Sequence, residues 1–227
     1  MSKWRMVIDL DKCTGCGSCM AACKMENNIP IVDSKEANEG GVLNWMDVIT
    51  QYHGDYPNIE VDRLPKPCFQ CDHPPCTKVC PVRATYLNPD GLVAQIYHRC
   101  IGCRYCMTAC PYTSKVFNWY EPKWLDGPYK CFNPDVSIRM TGVVEKCSFC
   151  SHRLMKVKED AALEDRPILD GEYEPACAEI CPADAIYFGD AENKNSEVYK
   201  LSRSYRASRV MDDLGLEPKV YYLSKRS

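Results

Sequence analysis

Apolar positions in this chain fall in short runs, and none approaches the roughly eighteen consecutive apolar residues of a membrane helix. Met6-Val7-Ile8-Asp9-Leu10 predicts a strand near the start. Val42 to Tyr52 and Asn58 to Leu64 are two strand-like runs around a Gly54 to Pro57 turn, which predicts a hairpin. Ala84 to Arg99 carries Asp90-Gly91 between apolar stretches, a second hairpin signal. Ser151 to Leu163 has a helical pattern but is charged on most faces, so most of it is expected to be solvated. Ala185 to Gly189 predicts a strand. A helix capped by Ser196 and ended near Gly215 should follow, turning Val198, Leu201, Tyr205 and Leu214 inward. Lys219 to Leu223 predicts a last strand, so the tail looks like a strap across the rest of the chain.

The cysteines change this picture. Sixteen of the 17 fall into four groups of four. Motif one is Cys13, Cys16, Cys19 and Cys23; motif three is Cys100, Cys103, Cys106 and Cys110, followed by Pro111. Both are spaced Cys-x2-Cys-x2-Cys-x3-Cys, as in bacterial ferredoxins. Motif two, Cys68, Cys71, Cys76 and Cys80 with Pro81, stretches the middle gap to four residues. Motif four is split into Cys147 and Cys150, then Cys177 and Cys181 with Pro182. A Cys-x2-Cys turn lets successive thiolates converge on one cluster while backbone N–H groups point at its sulfurs, and a 4Fe-4S cluster takes four thiolates.

In a two-cluster ferredoxin the fourth cysteine ligates the other cluster, so the motifs must pair. Motifs two and three are joined by the Ala84 to Arg99 hairpin and form one unit, which leaves motif one for motif four. The expected ligand sets are Cys13, Cys16, Cys19 and Cys181; Cys147, Cys150, Cys177 and Cys23; Cys68, Cys71, Cys76 and Cys110; and Cys100, Cys103, Cys106 and Cys80. The expected fold is α+β, with two ferredoxin-like units of two 4Fe-4S clusters each, carrying insertions and related by a pseudo-two-fold axis. Residues 1–67 and 141–227 make the outer unit and strap, 68–111 the inner unit, and 112–140 an aromatic and proline-rich insertion.

Zinc sites also use Cys-x2-Cys pairs, but as two separated pairs, whereas motifs one and three each pack four cysteines into eleven residues. Adjacent disulfides at this density would be strained, and a chain of 227 residues with 45% hydrophobic residues needs no such staples. The seventeenth cysteine, Cys131, reads as a small buried apolar residue. With so many positions given to metal, the clusters should act as core, and an apo form should be largely unfolded. Lys24, Arg99, Arg104, Lys146 and Arg153 lie beside ligands and are read mainly as reaching solvent; His98 and His152 carry no assigned role. Phe117, Trp119, Tyr120, Trp124, Tyr129 and Phe132, punctuated by Pro122, Pro128 and Pro134, predict a fixed loop that shields a cluster, presents a docking surface, or does both.

The formal charge is -3; sixteen thiolates and four cores of +2 would bring it to roughly -11. Basic residues are scattered, and no nucleic-acid motif appears. Neither a signal peptide nor a membrane anchor is expected. Assembly in a reducing cytoplasm is expected, with export possible only on a partner that carries a twin-arginine signal.

The order compact, stretched, compact, split, with the strings Val-Ile-Asp-Leu-Asp-Lys-Cys-Thr-Gly-Cys, Cys-Asp-His-Pro-Pro-Cys, Glu-Lys-Cys-Ser-Phe-Cys-Ser-His-Arg-Leu and Pro-Ala-Cys-Ala-Glu-Ile-Cys-Pro, resembles the four-cluster subunit of complex iron-sulfur molybdoenzymes over essentially the whole chain. Phe117-Asn118-Trp119-Tyr120, Asn133-Pro134-Asp135-Val136 and Gly142-Val143-Val144-Glu145-Lys146-Cys147 are similar to the branch found in alternative complex III, menaquinone reductase complexes and membrane sulfite dehydrogenases, and polysulfide reductase is of the same type.

The resemblance implies a non-catalytic electron wire. Its partners would be a large molybdopterin-type or related catalytic subunit, a polytopic quinone-binding membrane subunit of the polysulfide-reductase anchor type, and in some complexes a multihaem cytochrome. The motif-one cluster would lie at the catalytic end and the cluster of Cys100, Cys103, Cys106 and Cys80 nearest the quinone. The subunit would sit peripherally on the bacterial inner membrane through its partners, on the periplasmic face by co-export, with the cytoplasmic face as the alternative. Some members carry a 3Fe-4S cluster in motif three after losing one cysteine; here all sixteen are kept, so four 4Fe-4S clusters are expected and no iron is left open for substrate. A freely diffusing polyferredoxin or the subunit of a soluble multicluster dehydrogenase is the alternative. The aromatic insertion and tail favour the membrane complex, since a diffusing carrier needs only small contacts.

Overall fold

The computed structural model describes residues 3–122, 124 and 131–226. Tyr129 and Pro128 of the aromatic insertion lie outside the described residues. The fold is mixed α and β. Its one larger sheet joins the two ends of the chain: β1 (Trp4–Asp9) lies between β8 (Ile186–Asp190), antiparallel to it, and β10 (Val220–Leu223), parallel to it, and β9 (Ala207–Ser208) closes the edge. Met6 stands opposite both Phe188 and Val220. Three consecutive residues, Met6, Val7 and Ile8, are buried because both faces of this sheet are covered. Met6 and Ile8 pack on Phe69, Phe149, Tyr173, Tyr222 and six cysteines, while Val7 packs on Val198, Ala191 and Leu223.

Both expected hairpins form, with shifted ends. β2 (Asp47–His53) pairs with β3 (Glu60–Lys66), and β4 (Thr85–Leu87) with β5 (Val93–Gln95). The first begins later than Val42 because Leu43, Trp45 and Met46 are consumed by the core as irregular chain. A short pair, β6 (Val116–Phe117) with β7 (Val144–Glu145), brackets the aromatic insertion and carries no clear sequence signal. The helix Ser151–Leu163 (α5) spans the expected residues, with only Leu154 and Ala161 buried.

The helix expected from Ser196 to Gly215 is a correction. Ser196 does cap a helix, its hydroxyl accepting from the Tyr199 N–H at 3.1 Å, but α7 ends after Glu197–Leu201. Tyr205 is 95% exposed and Leu214 half exposed, so neither faces the core. Two tertiary bonds override the helical pattern. Arg206 pairs with Asp9 at 2.7 Å, and residues 207–208 pair with β10. A further helix that the sequence pattern does not announce is α2 (Ser34–Asn38), capped by the Asp33 side chain accepting from the Glu36 N–H. Cys131 is exposed, not buried, as are Pro134, Asp135, Ser137 and Ile138 after it. Among the described residues no helix is long and apolar enough to cross a membrane.

Candidate iron-sulfur cluster sites

The four motifs repeat one backbone geometry despite their different spacings. The residue before each second cysteine has a positive φ: Gly15 (71°), Gln70 (47°), Gly102 (69°) and Phe149 (56°). Glycine adopts this turn freely. At Gly102 there is also no room for a side chain, since a Cβ would stand 2.5 Å from the Gly142 carbonyl oxygen. The third cysteine of each motif is the second residue of a helix: Cys19 in α1 (Ser18–Glu26), Cys76 in α3 (Pro75–Lys78), Cys106 in α4 (Tyr105–Thr108) and Cys177 in α6 (Ala176–Glu179). After the fourth cysteine, motifs two, three and four turn at Pro and reach a residue of positive φ, Arg83, Thr113 and Asp184. Each of these donates its N–H to the cysteine carbonyl, at 3.2, 3.3 and 3.1 Å.

Helix α1 packs on α6, and α3 on α4, so motif one faces motif four and motif two faces motif three. One cavity is ringed by Cys13, Cys16, Cys19 and Cys181. A second is ringed by Cys68, Cys71, Cys76 and Cys110, with Lys115 on its wall. In each, the fourth cysteine comes from the opposite motif. Burial pushes the Cys177 thiol well above its usual value, and the thiols of Cys147, Cys150, Cys23 and Cys19 add to the rise. Cys106 lies in a small buried core against which Cys100 packs, and burial raises its thiol, with those of Cys100 and Cys80 adding to the rise.

Backbone N–H groups point at several of these sulfurs: Ala84 to Cys80 at 3.2 Å, and Val144 to Cys100, Phe149 to Cys147 and Ala185 to Cys181 at 3.4 Å. Burial pushes the Cys71 and Cys147 thiols up to about 12 and those of Cys19, Cys76 and Cys150 to about 11, with neighbouring thiols adding to the rise at Cys71, Cys147 and Cys19. At Cys80 burial also acts upward, but the backbone N–H groups of Thr85, Ala84 and Val82 outweigh it and hold the thiol below its usual value. Packed, mutually repelling thiolates are stable only around a cationic centre, which an iron-sulfide core supplies. Among the described residues no three His, Cys, Asp or Glu groups converge tightly enough for a single ion, whereas a cubane spaces its thiolates widely. The residues therefore fit clusters.

Comparison with known proteins agrees. The 4Fe-4S dicluster domain matches residues 59–131 and the 4Fe-4S binding domain residues 4–25. The chain is 51% identical to the menaquinone reductase iron-sulfur cluster-binding subunit of Nitratidesulfovibrio vulgaris, over 99% of this chain and 89% of that protein. The chain belongs to the iron-sulfur subunits of the complex iron-sulfur molybdoenzyme family. It is also 33% identical to a sulfite dehydrogenase subunit of Allochromatium vinosum (100% and 85% covered) and 30% identical to a polysulfide reductase subunit of Wolinella succinogenes (99% and 95% covered). As a member of this family it is an electron-transfer subunit of an oxidoreductase complex.

The basic residues beside the ligands divide. Arg99 is exposed, as expected of a solvated side chain. Arg153 grips Glu26 through Nε at 2.6 Å and Nη2 at 2.8 Å, and His152 reaches the same carboxylate at 2.7 Å, which ties α5 to α1. Arg104 lies over the Trp119 ring at 4.5 Å and the Phe117 ring at 5.2 Å. Lys24 is half-buried, its Nζ donating to the Leu43 carbonyl at 2.5 Å. Lys146 reverses the expectation: it is fully buried, donating to the carbonyls of Val93 and Cys147. Gln70 and Lys115 are not singled out by the sequence pattern. Aligning the four motifs marks Gln70, like Phe149, as a non-glycine at a left-handed position; Lys115 carries no comparable signal. Phe117 packs on the small core of Cys76, Val93, Cys106 and Val144, so part of the aromatic segment shields thiols, while Trp119 is half exposed beside it.

Proposed function

We propose that the chain holds four 4Fe-4S clusters, ligated by Cys13, Cys16, Cys19 and Cys181; by Cys147, Cys150, Cys177 and Cys23; by Cys68, Cys71, Cys76 and Cys110; and by Cys100, Cys103, Cys106 and Cys80. They form a row that carries electrons between a large catalytic or cytochrome-linked subunit and a quinone-binding membrane subunit. One observation carries this reading: successive thiol groups adjoin in a single order. Cys19 of the first lies on a helix packed against that of Cys177 of the second, Cys147 of the second and Cys68 of the third share the main buried core with them, and Cys76 of the third shares a small core with Cys106 of the fourth. The two ends of that row are open, with Cys16 and Cys103 exposed, while every first, second and third cysteine of motifs two and four is buried. A row closed in the middle and open at both ends suits electron entry at one end and exit at the other.

Around Cys103 the surface is apolar, with Ile101 65% and Tyr105 57% exposed next to the Arg104–Trp119 stack. This end is the one that meets the membrane subunit, and the chain thereby lies peripherally on the inner membrane. The two halves, 1–67 with 141–227 and 68–111, act as ferredoxin-like units related by a pseudo-two-fold axis, a reading supported by the α1–α6 and α3–α4 packing. Anaerobic purification from mild-detergent membranes tests the role. A copurifying polytopic membrane chain and a large catalytic chain are expected. Recovery of the loaded protein alone from the soluble fraction would make it a diffusing polyferredoxin.

A further inference from the structure

Two lysines are buried in the interior without a carboxylate partner among the described residues. Lys115 is 3% exposed and Lys146 2%. Lys115 donates to the Thr85 hydroxyl at 3.2 Å, and Lys146 to the carbonyls of Val93 and of Cys147, the latter at 3.0 Å. Glu145, next to Lys146 in the chain, is turned elsewhere: its carboxylate lies 3.6 Å from Arg139 and accepts from the Trp45 indole at 3.3 Å. Hydrogen bonds to neutral oxygens orient a buried cation but do not balance its charge, so a pair of them calls for a negative body alongside.

The thiols around them show where that body lies. Lys146 bridges the carbonyl of Val93, a residue that lines the cavity of Cys68, Cys71, Cys76 and Cys110, and the carbonyl of Cys147. Lys115 lines the cavity of Cys68, Cys71, Cys76 and Cys110, and its ammonium bonds Thr85, whose backbone N–H acts on the Cys80 thiol. Each lysine thus stands at a junction between two successive cysteine groups.

We propose that Lys146 and Lys115 are the internal counter-charges of the cluster row, Lys146 between the clusters at Cys147 and Cys68, Lys115 between those at Cys68 and Cys100, and that they raise the reduction potentials of the clusters they flank. The inference rests on the ligand sets proposed above. A cluster with four thiolates gains one more negative charge on reduction, and a fixed cation in a water-free interior favours that state. Neighbouring clusters of like charge resist simultaneous reduction, and a cation at the junction weakens that resistance. These are positioning charges, distinct from the ligands.

Lys146→Met and Lys115→Met test this in the intact complex by redox titration followed by electron paramagnetic resonance. In Lys146→Met the reduced-to-oxidised ratio of the clusters at Cys147 and Cys68 is expected to fall about tenfold at fixed potential, about 59 mV for a one-electron couple. The cluster at Cys13, at the far end, should not move. In Lys115→Met the affected pair should be those at Cys68 and Cys100. Lys146→Arg, which keeps the charge, should restore most of the shift, which a purely packing role would not predict. If a Met variant loses iron, the Gln variant at the same position is read in its place. Unchanged potentials, or an equal shift of all four clusters, in variants that keep their full iron would overturn the inference. A wild-type complex short of the iron for four clusters would instead overturn the ligand sets.

Discussion

The side-chain amide of Gln70, in motif two, donates to the main-chain carbonyl of Cys147, in motif four, at 2.7 Å across 77 residues of sequence. The same amide's oxygen accepts from the Val93 N–H at 2.7 Å, and the residue is fully buried. One side chain therefore joins a turn of the second motif, a strand of the hairpin and the first ligand of the fourth motif. Gln70→Leu would leave the buried Val93 N–H short of a partner and the Cys147 carbonyl with Lys146 alone, at a cost of about 1–3 kcal/mol. Thermal unfolding of the loaded protein should show a midpoint lower by several degrees, and clusters at Cys68 and Cys147 should be lost first on aerobic storage. An unchanged midpoint would remove Gln70 from the joint.

Ligand exchange between motifs makes a pairwise prediction. Cys80→Ser should disrupt the cluster of Cys100, Cys103 and Cys106. Adding Cys106→Ser to it should then remove little further iron, whereas adding Cys76→Ser should remove about four more atoms, one further cluster. If each motif held its own cluster, Cys80 and Cys76 would instead be the redundant pair. Iron analysis on the two double variants separates the possibilities.

Glu26 gives a pH dependence. The Arg153 guanidinium, opposed in part by burial and helped by His152, holds its carboxyl below the usual range. A carboxyl lowered in the folded state contributes stability above its unfolded value of about 4.5 and loses it as pH falls through the folded value. Glu26→Gln should thus cost about 1–2 kcal/mol near neutral pH and progressively less below about 4.5. Denaturant unfolding at several pH values, on samples with equal iron, checks this; a gap that widens on acidification would reverse the sign.

Removing the clusters should remove the core. Six cysteines share the main apolar cluster with Met6, Ile8, Phe69 and Tyr222, so demetallation leaves buried thiols around empty volume. Treatment with an oxidant and chelator should abolish cooperative unfolding and most of the far-ultraviolet circular dichroism. A stable, folded apo chain would show that the protein core suffices alone.

The candidate site was largely legible because cysteine spacing is chemically restrictive: four thiols must reach one cluster, and only tight turns achieve this. Strand positions near the ends of the chain were legible for a related reason, since Met6-Val7-Ile8 has nowhere to go but a sheet covered on both faces. What the pattern could not carry was decided by distant partners. The Ser196 helix stops where Arg206 meets Asp9, a pairing across 197 residues. Lys146 reads as solvent-reaching because a charged side chain usually is, and only the fold reveals that it is buried against the carbonyls of Val93 and Cys147. Cys131, which reads as buried by residue type, is exposed, and so are Pro134 and Asp135 beyond it.

The central claim is four clusters in one chain. Iron and acid-labile sulfide, measured on the anaerobically purified protein after subtracting any partner's share, test it most directly. About sixteen of each per chain are expected, four clusters of four irons and four sulfides. About eight of each, or zinc without labile sulfide, would contradict it.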